Sequence, residues 1–199
     1  MSGAFRAGLG RYFDAGQLER LDLATIGIAG AGGLGSNCAV LLARCGIGGF
    51  VLVDDDLVEA SNLNRQHYWP DQIGMPKVAA LAAELCRLNA GLRLEISPMR
   101  LGPDNLPAIL PRAGIWVEAL DEPAAKKMFV EAALLAGRSV AAASGICGYG
   151  GEPLQKRRMG RLTVVGDFRT GLCEAPPLAP RVAQAAALLA DCVLELALG

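Results

Sequence analysis

The sequence predicts an α/β fold, a Rossmann-like, doubly wound and mainly parallel sheet with helices on both faces. Three observations carry this. A β-rich run from Thr25 to Gly30 (TIGIAG) leads into closely spaced glycines, and Leu34 to Cys45 then repeats apolar residues at helical spacing. A second β-rich run, Gly49 to Val53 (GFVLV), completes a strand-helix-strand unit, which implies a right-handed crossover and parallel pairing. Strand-like and helix-like segments then keep alternating toward the C-terminus.

Taken in order, Lys77 to Asn89 repeats small and apolar residues with helical period after a polar, asparagine-rich stretch, and Leu92 to Ile96 reads as a strand. Ile115 to Leu120 (IWVEAL) reads as the next strand. Pro123 to Ala136 follows as a helix, with proline in the first turn where its missing N–H costs nothing. Ser139 to Ala143 and Leu162 to Val165 supply two more strands. Val182 to Leu198 is apolar almost all round, which predicts a helix buried on most sides, in the core or at a subunit contact. There is no internal repeat or low-complexity linker, and 199 residues suit one domain spanning 1–199.

Hydrophobic residues make up 52% of the chain and charged residues 20%, enough apolar material for a sizeable core. A net charge of −1 gives no electrostatic reason to expect nucleic acid or an anionic membrane as a broad-surface partner. Apolar stretches are interrupted before reaching membrane-spanning length and no signal-like segment opens the chain, so a soluble cytoplasmic protein is expected. The six cysteines include no C-x-x-C pair, so no zinc site is expected.

Gly30, Gly32 and Gly35 satisfy G-x-G-x-x-G between a predicted strand and a predicted helix, the context that this weak motif requires. Without a Cβ the backbone turns tightly and approaches a phosphate closely, and the helix N-terminus favours the anion. A tight turn with no ligand is the bland alternative. Asp54 stands about 20 residues beyond the glycines, where a carboxylate accepts hydrogen bonds from a ribose. Asp55 reads as a solvated strand-end residue. To this point NAD, FAD and ATP all remain open.

The segments GAGGLGS (Gly30 to Ser36), LVDDD (Leu52 to Asp56), SNLNRQ (Ser61 to Gln66) and GMPK (Gly74 to Lys77), in that order and spacing, resemble the superfamily of ubiquitin-activating, MoeB and ThiF adenylyltransferases. VEALD (Val117 to Asp121) and APRV (Ala179 to Val182) resemble its short ThiF-like branch. The resemblance implies ATP at the glycine turn, with Gly30, Gly32, Gly33, Gly35, Asp54, Asp56, Asn62, Arg65 and Lys77 as nucleotide-binding positions. It implies Arg65, Lys77 and Asp121 as the catalytic set, with Asp121 near Mg²⁺. The implied reaction adenylates the C-terminal Gly-Gly carboxylate of a small ubiquitin-like sulfur carrier in thiamine biosynthesis, and the implied assembly is a homodimer.

Competing readings accompany several of these residues. Asp121 could instead cap the helix that begins near Pro123. Arg11 in GRYFD is the nearest match to a family arginine that enters a neighbouring subunit's site. Cys173, in the glycine- and proline-rich TGLCEAPP, is a candidate for receiving the activated carrier, against the reading of an incidental loop cysteine. His67 reads as a turn or surface residue. Adenylation of a small molecule or a tRNA base, and a non-catalytic docking module, are the alternatives to carrier activation.

Overall fold

The computed structural model describes residues 3–170 and 174–199. Strands β1 (Thr25–Ala29), β2 (Gly49–Val53), β3 (Arg93–Ser97), β4 (Ile115–Glu118), β5 (Ser139–Ala143), β6 (Gln155–Met159) and β7 (Leu162–Gly166) form one sheet in the order β3-β2-β1-β4-β5-β7-β6. Neighbours are parallel throughout except β6 and β7, which pair antiparallel at one edge. The helices are α1 (Gly3–Leu9), α2 (Ala15–Leu23), α3 (Gly33–Arg44), α4 (Lys77–Leu88), α5 (Leu106–Ile109), α6 (Pro123–Leu135) and α7 (Ala179–Leu198). The Rossmann-like fold class read from the sequence is the observed one.

Side-chain alternation along the strands divides the interior into two cores. Ile26, Ile28, Phe50, Leu52 and Val117 face the cluster that contains residues of α3, α4 and α7. Val51, Val53, Trp116 and Val140 face Phe129 and Ala133 of α6 and Leu106 of α5. Trp116 is fully buried, stands edge-on to Phe129 at 5.5 Å and donates its indole N–H to the Leu110 carbonyl at 3.2 Å. Gly27 in β1 leaves the space for that indole, since a Cβ there would overlap the ring.

Several parts of the fold differ from the sequence expectation, among them the short helices α1 and α5, which it did not include. Strand β6 reads QKRRM and is exposed at all five positions, so as an edge strand it carries no apolar alternation to detect. Helix α2 is set by a capping box: Asp14 Oδ1 accepts the Gln17 N–H at 2.8 Å and Gln17 Oε1 accepts the Asp14 N–H at 3.0 Å. Helix α7 begins at Ala179, ahead of the expected Val182, and within this chain it buries one face: Val182, Ala185, Ala186, Leu189 and Val193 are buried, while Ala183, Gln184, Ala187, Asp191 and Glu195 face outward. Alanine counts as apolar in the pattern but is small enough to sit on either side.

The chain runs outward from β1 through β2 to β3, then returns to place β4 on the other side of β1. The order reverses there, and crevices at such switch points, outside the carboxyl ends of parallel strands, are where ligands bind in open α/β sheets.

Candidate active site

At the end of β1 the chain turns at Gly30, whose φ of +93° favours glycine. The turn is pinned from β2: the Ala31 N–H donates to Asp54 Oδ2 at 2.6 Å and the Asp56 N–H to Asp54 Oδ1 at 2.8 Å. Burial pushes the Asp54 carboxyl above its ordinary range, and the two N–H bonds oppose it. Gly32 stands at the N-cap of α3 with no side-chain cap, so the open N–H groups of that first turn are available to an anion. At Gly33 a Cβ would lie 3.0 Å from Val182 of α7. Gly35 has a different place: it does not line the cleft, and a Cβ there would run into the Gly30 carbonyl, so its bareness lets α3 pack on β1.

Lys77 opens α4 and is aimed by Asp56, with Nζ 2.6 Å from Asp56 Oδ2 and the Lys77 N–H on the Asp56 carbonyl at 2.9 Å. The lysine side chain is 7% exposed and its partner 63%, so the cation is buried against the cleft while the carboxylate meets solvent. Asn62 is buried, its Oδ1 accepting the Glu59 N–H at 3.0 Å. Arg65 Nη1 donates to the Ser61 carbonyl at 3.0 Å and to Asn64 Oδ1 at 2.8 Å.

Residues that the sequence reading passed over tie this segment to the glycine turn. Asn37 Nδ2 donates to the Gly33 carbonyl at 2.6 Å and to the Arg65 carbonyl at 2.9 Å. Ser36 Oγ donates to the Gly32 carbonyl at 2.6 Å and accepts the His67 N–H at 3.0 Å. The buried Tyr68 hydroxyl donates to the Ala31 carbonyl at 2.6 Å. Their one sequence signal was a Ser-Asn pair at the start of an otherwise apolar helix.

Asp121 is exposed, lines the cleft, and among the described residues its carboxylate takes no hydrogen bond or ion pair. It does not cap α6, because Glu122 occupies the N-cap position. The turn that carries it is braced from below by Glu118, whose Oε1 accepts the Leu120 N–H at 2.8 Å, and by Lys126, which reaches Glu118 Oε2 at 2.8 Å and the Leu120 carbonyl at 3.0 Å. Burial pushes the Glu118 carboxyl up, and Lys126 opposes it.

Gly30, Gly32, Gly33, Asp54, Asp56, Asn62, Arg65, Lys77 and Asp121 all line one cleft of about 740 Å³. Gln66 lines it too, with a buried Oε1 that has no hydrogen-bond partner among the described residues. Neither Arg11 nor His67 lines the cleft, and Cys173 lies outside the described residues. No described helix is long and apolar enough to cross a membrane.

A second part of the cleft wall comes from residues 144–147, from Thr170 and from the start of α7, where Val182 stands beside Gly33, and a buried ion pair braces the segment that continues from it. Asp167 Oδ2 lies 2.7 Å from Arg181 Nη2. Although burial opposes it, N–H bonds from Thr170 and Arg169, the Thr170 hydroxyl and Arg181 hold the Asp167 carboxyl below its usual range. The folded value lies under the unfolded one of about 3.9, so the pair's contribution is complete above that pH and fades as pH falls toward the folded value. Asp167→Asn is accordingly expected to flatten the loss of stability below about pH 4 in acid titration of unfolding. An unchanged slope would locate the acid response elsewhere.

A model of the ThiF family matches residues 7–183. Over 77 residues, 39% of this chain and 19% of the other, the sequence is 47% identical to ubiquitin-like modifier-activating enzyme 5 of Drosophila melanogaster. It is 34% identical to the adenylyltransferase and sulfurtransferase UBA4 of Candida glabrata over 159 residues, 79% of this chain and 34% of the other. The chain thus spans only about a fifth to a third of these relatives. The E. coli tRNA N6-threonylcarbamoyladenosine dehydratase TcdA, solved with ATP, superimposes with a TM-score of 0.88, covering 98% of this chain and 96% of its own at 20% identity. At that identity the likeness is one of fold.

Proposed function

The chain belongs to the ThiF family of adenylyltransferases, and from that premise we propose that it activates the C-terminal carboxylate of a small ubiquitin-like sulfur carrier. The carrier ends in Gly-Gly, ATP is the second substrate and pyrophosphate leaves. The observation that carries this reading is the convergence on one cleft of a bare glycine turn, a buried Lys77 aimed by Asp56, Arg65, and the carboxylate of Asp121, which has no partner among the described residues.

A terminal carboxylate has a pKa of about 3.3–3.7, so at neutral pH it is already the nucleophile and no general base is required. Its oxygen bonds to the α-phosphorus as the bond from that phosphorus to the bridging oxygen of pyrophosphate breaks. Charge then accumulates on phosphate oxygens, and Lys77, Arg65 and the open N–H groups at Gly32 and Gly33 stabilise it. Asp54 accepts from the ribose. A cleft built to position atoms and offset charge suits a chemistry in which the protein transfers no proton.

A hard cation seeks carboxylate and phosphate oxygens, and the exposed Asp121 carboxylate at the cleft fits that demand. When bound, Mg²⁺ would offset charge on the triphosphate. Asp121→Asn is expected to raise the Mg²⁺ requirement by at least about tenfold, the scale lost even with an outer-shell partner. Asp55→Asn, at a solvated position, should be close to neutral. Equal effects in a Mg²⁺ titration would reduce Asp121 to part of a general acidic patch.

We place the reaction in the cytoplasm, in thiamine biosynthesis or a related sulfur-transfer pathway, with a homodimer as the working form. The fold likeness to TcdA supports a second reading, adenylation of a modified tRNA base. The net charge of −1 favours the carrier. The test is whether pyrophosphate exchange into ATP requires a carrier ending in Gly-Gly, or whether RNA or a small carboxylate replaces it.

A further inference from the structure

The cleft has two ends that different parts of the sheet supply. The phosphate-directed residues follow β1 and β2 or open α4, and Asp121 follows β4. The other end follows β5 and β7, with Gly145 and Cys147 from the start of the 144–152 segment and Thr170, while Val182 of α7 stands beside Gly33. No strand or helix holds residues 144–152, and Gly145, Gly148, Gly150 and Gly151 all take positive φ; backbone bonds tie Ser144, Gly145 and Gly148 to residues 165–168 and to Pro176.

Arg181 adds the tie at the far end of the segment. Its Nη1 donates to the Gly150 carbonyl at 3.0 Å and to the Glu152 carbonyl at 2.8 Å, while Nη2 meets Asp167 Oδ2 at 2.7 Å. Asp167 in turn accepts the Arg169 and Thr170 N–H groups and the Thr170 hydroxyl at 2.8–2.9 Å. One ion pair therefore joins the 144–152 flap, the turn after β7 and the first turn of α7. The two side chains are 6% and 4% exposed. Burying two charges carries a desolvation cost that an apolar pair of similar volume avoids, so stability alone does not account for it.

We propose that Asp167 and Arg181 are a positioning pair that shapes the acceptor end of the cleft, holding the flap as the surface along which the carboxyl-bearing tail reaches the nucleotide. The identity of that tail rests on the carrier reading above; the place of the pair does not. The pair touches neither reacting atom and acts through the backbone carbonyls it holds. Its loss should be felt by the carboxylate substrate and not by ATP.

The test uses the full chain carrying Asp167→Asn, Arg181→Lys, or Asp167→Leu with Arg181→Met, the last so that no charge is left buried without its partner. Three quantities are read: amide hydrogen exchange across 144–152 against that of β1 and β4, ATP–Mg²⁺ affinity by calorimetry, and KM for a Gly-Gly carrier and for ATP in exchange assays. Flap amides should exchange about tenfold or more faster with the strands unchanged, and carrier KM should rise about tenfold with ATP affinity and kcat within about twofold. Arg181→Lys, which keeps the charge, should fall between wild type and the double variant. Unchanged flap protection, or ATP affinity falling together with carrier KM, would overturn the proposal. If the wild-type chain accepts no Gly-Gly carrier, the carrier reading fails. Faster flap exchange with unchanged ATP affinity then still supports the pair's role, and any other combination rejects it.

Discussion

Lys77→Ala is expected to lower carrier-dependent exchange by about a hundredfold or more, the scale seen when one charge-stabilising group is lost from a closed site. Buried cations are risky to delete when they leave a partner charge stranded. Here the partner is Asp56, 63% exposed, which water can solvate once the lysine is gone. The backbone bond from the Lys77 N–H to the Asp56 carbonyl survives the substitution, and alanine is a good first residue for α4. The thermal midpoint should therefore stay near that of the wild type while turnover collapses. Arg65→Ala is expected to act in the same direction. Turnover close to normal for both would remove them from the chemistry.

The largest stability effect is expected at Gly27, which does not itself line the cleft. A side chain at this position would occupy the space of the Trp116 indole, which is fully buried and held by Leu110 and Phe129. Relief requires the ring to leave its place or β1 to shift, and β1 carries the glycine turn. Gly27→Val should cost about 3 kcal/mol or more, a large part of the 5–15 kcal/mol that holds a domain of ordinary stability. Chemical denaturation should show a strongly lowered midpoint or no folded baseline. A midpoint within error of the wild type would mean that the packing about Trp116 is looser than described.

The contrast between these two positions bears on what a sequence discloses. Lys77 is legible because it lies in a short, ordered set of segments that the fold brings to one cleft. Gly27 is not, since its constraint is a tryptophan 89 positions away on the neighbouring strand, and pairing register is invisible before the sheet is assembled. The alternation of strand and helix was legible because the buried parallel strands are continuously apolar, as in GFVLV, while the helices repeat at a different period. Strand β6 was hidden for the opposite reason, its QKRRM offering no buried face. Helix α2 did carry a signal, Asp14 with Gln17 three residues on, but its buried face consists only of Leu18 and Leu21. The Asp167–Arg181 pair was beyond reach because it joins three segments through backbone carbonyls, and carbonyls have no residue type. The competing role for Asp121 could be settled only by seeing which residue occupies the N-cap of α6.

The central claim, that this cleft activates a carrier's C-terminal carboxylate, is tested most directly by isotope exchange between pyrophosphate and ATP. Exchange reports the adenylation step alone and needs neither a sulfur donor nor a second enzyme. Without an acceptor there is nothing to attack the α-phosphorus, so exchange should be absent. It should begin on adding a small ubiquitin-like protein ending in Gly-Gly, and it should be lost again when the last glycine is deleted, which withdraws the carboxylate from reach. Exchange that proceeds without any carrier, or that is supported by RNA or a small carboxylate while Gly-Gly carriers bind without effect, would contradict the account.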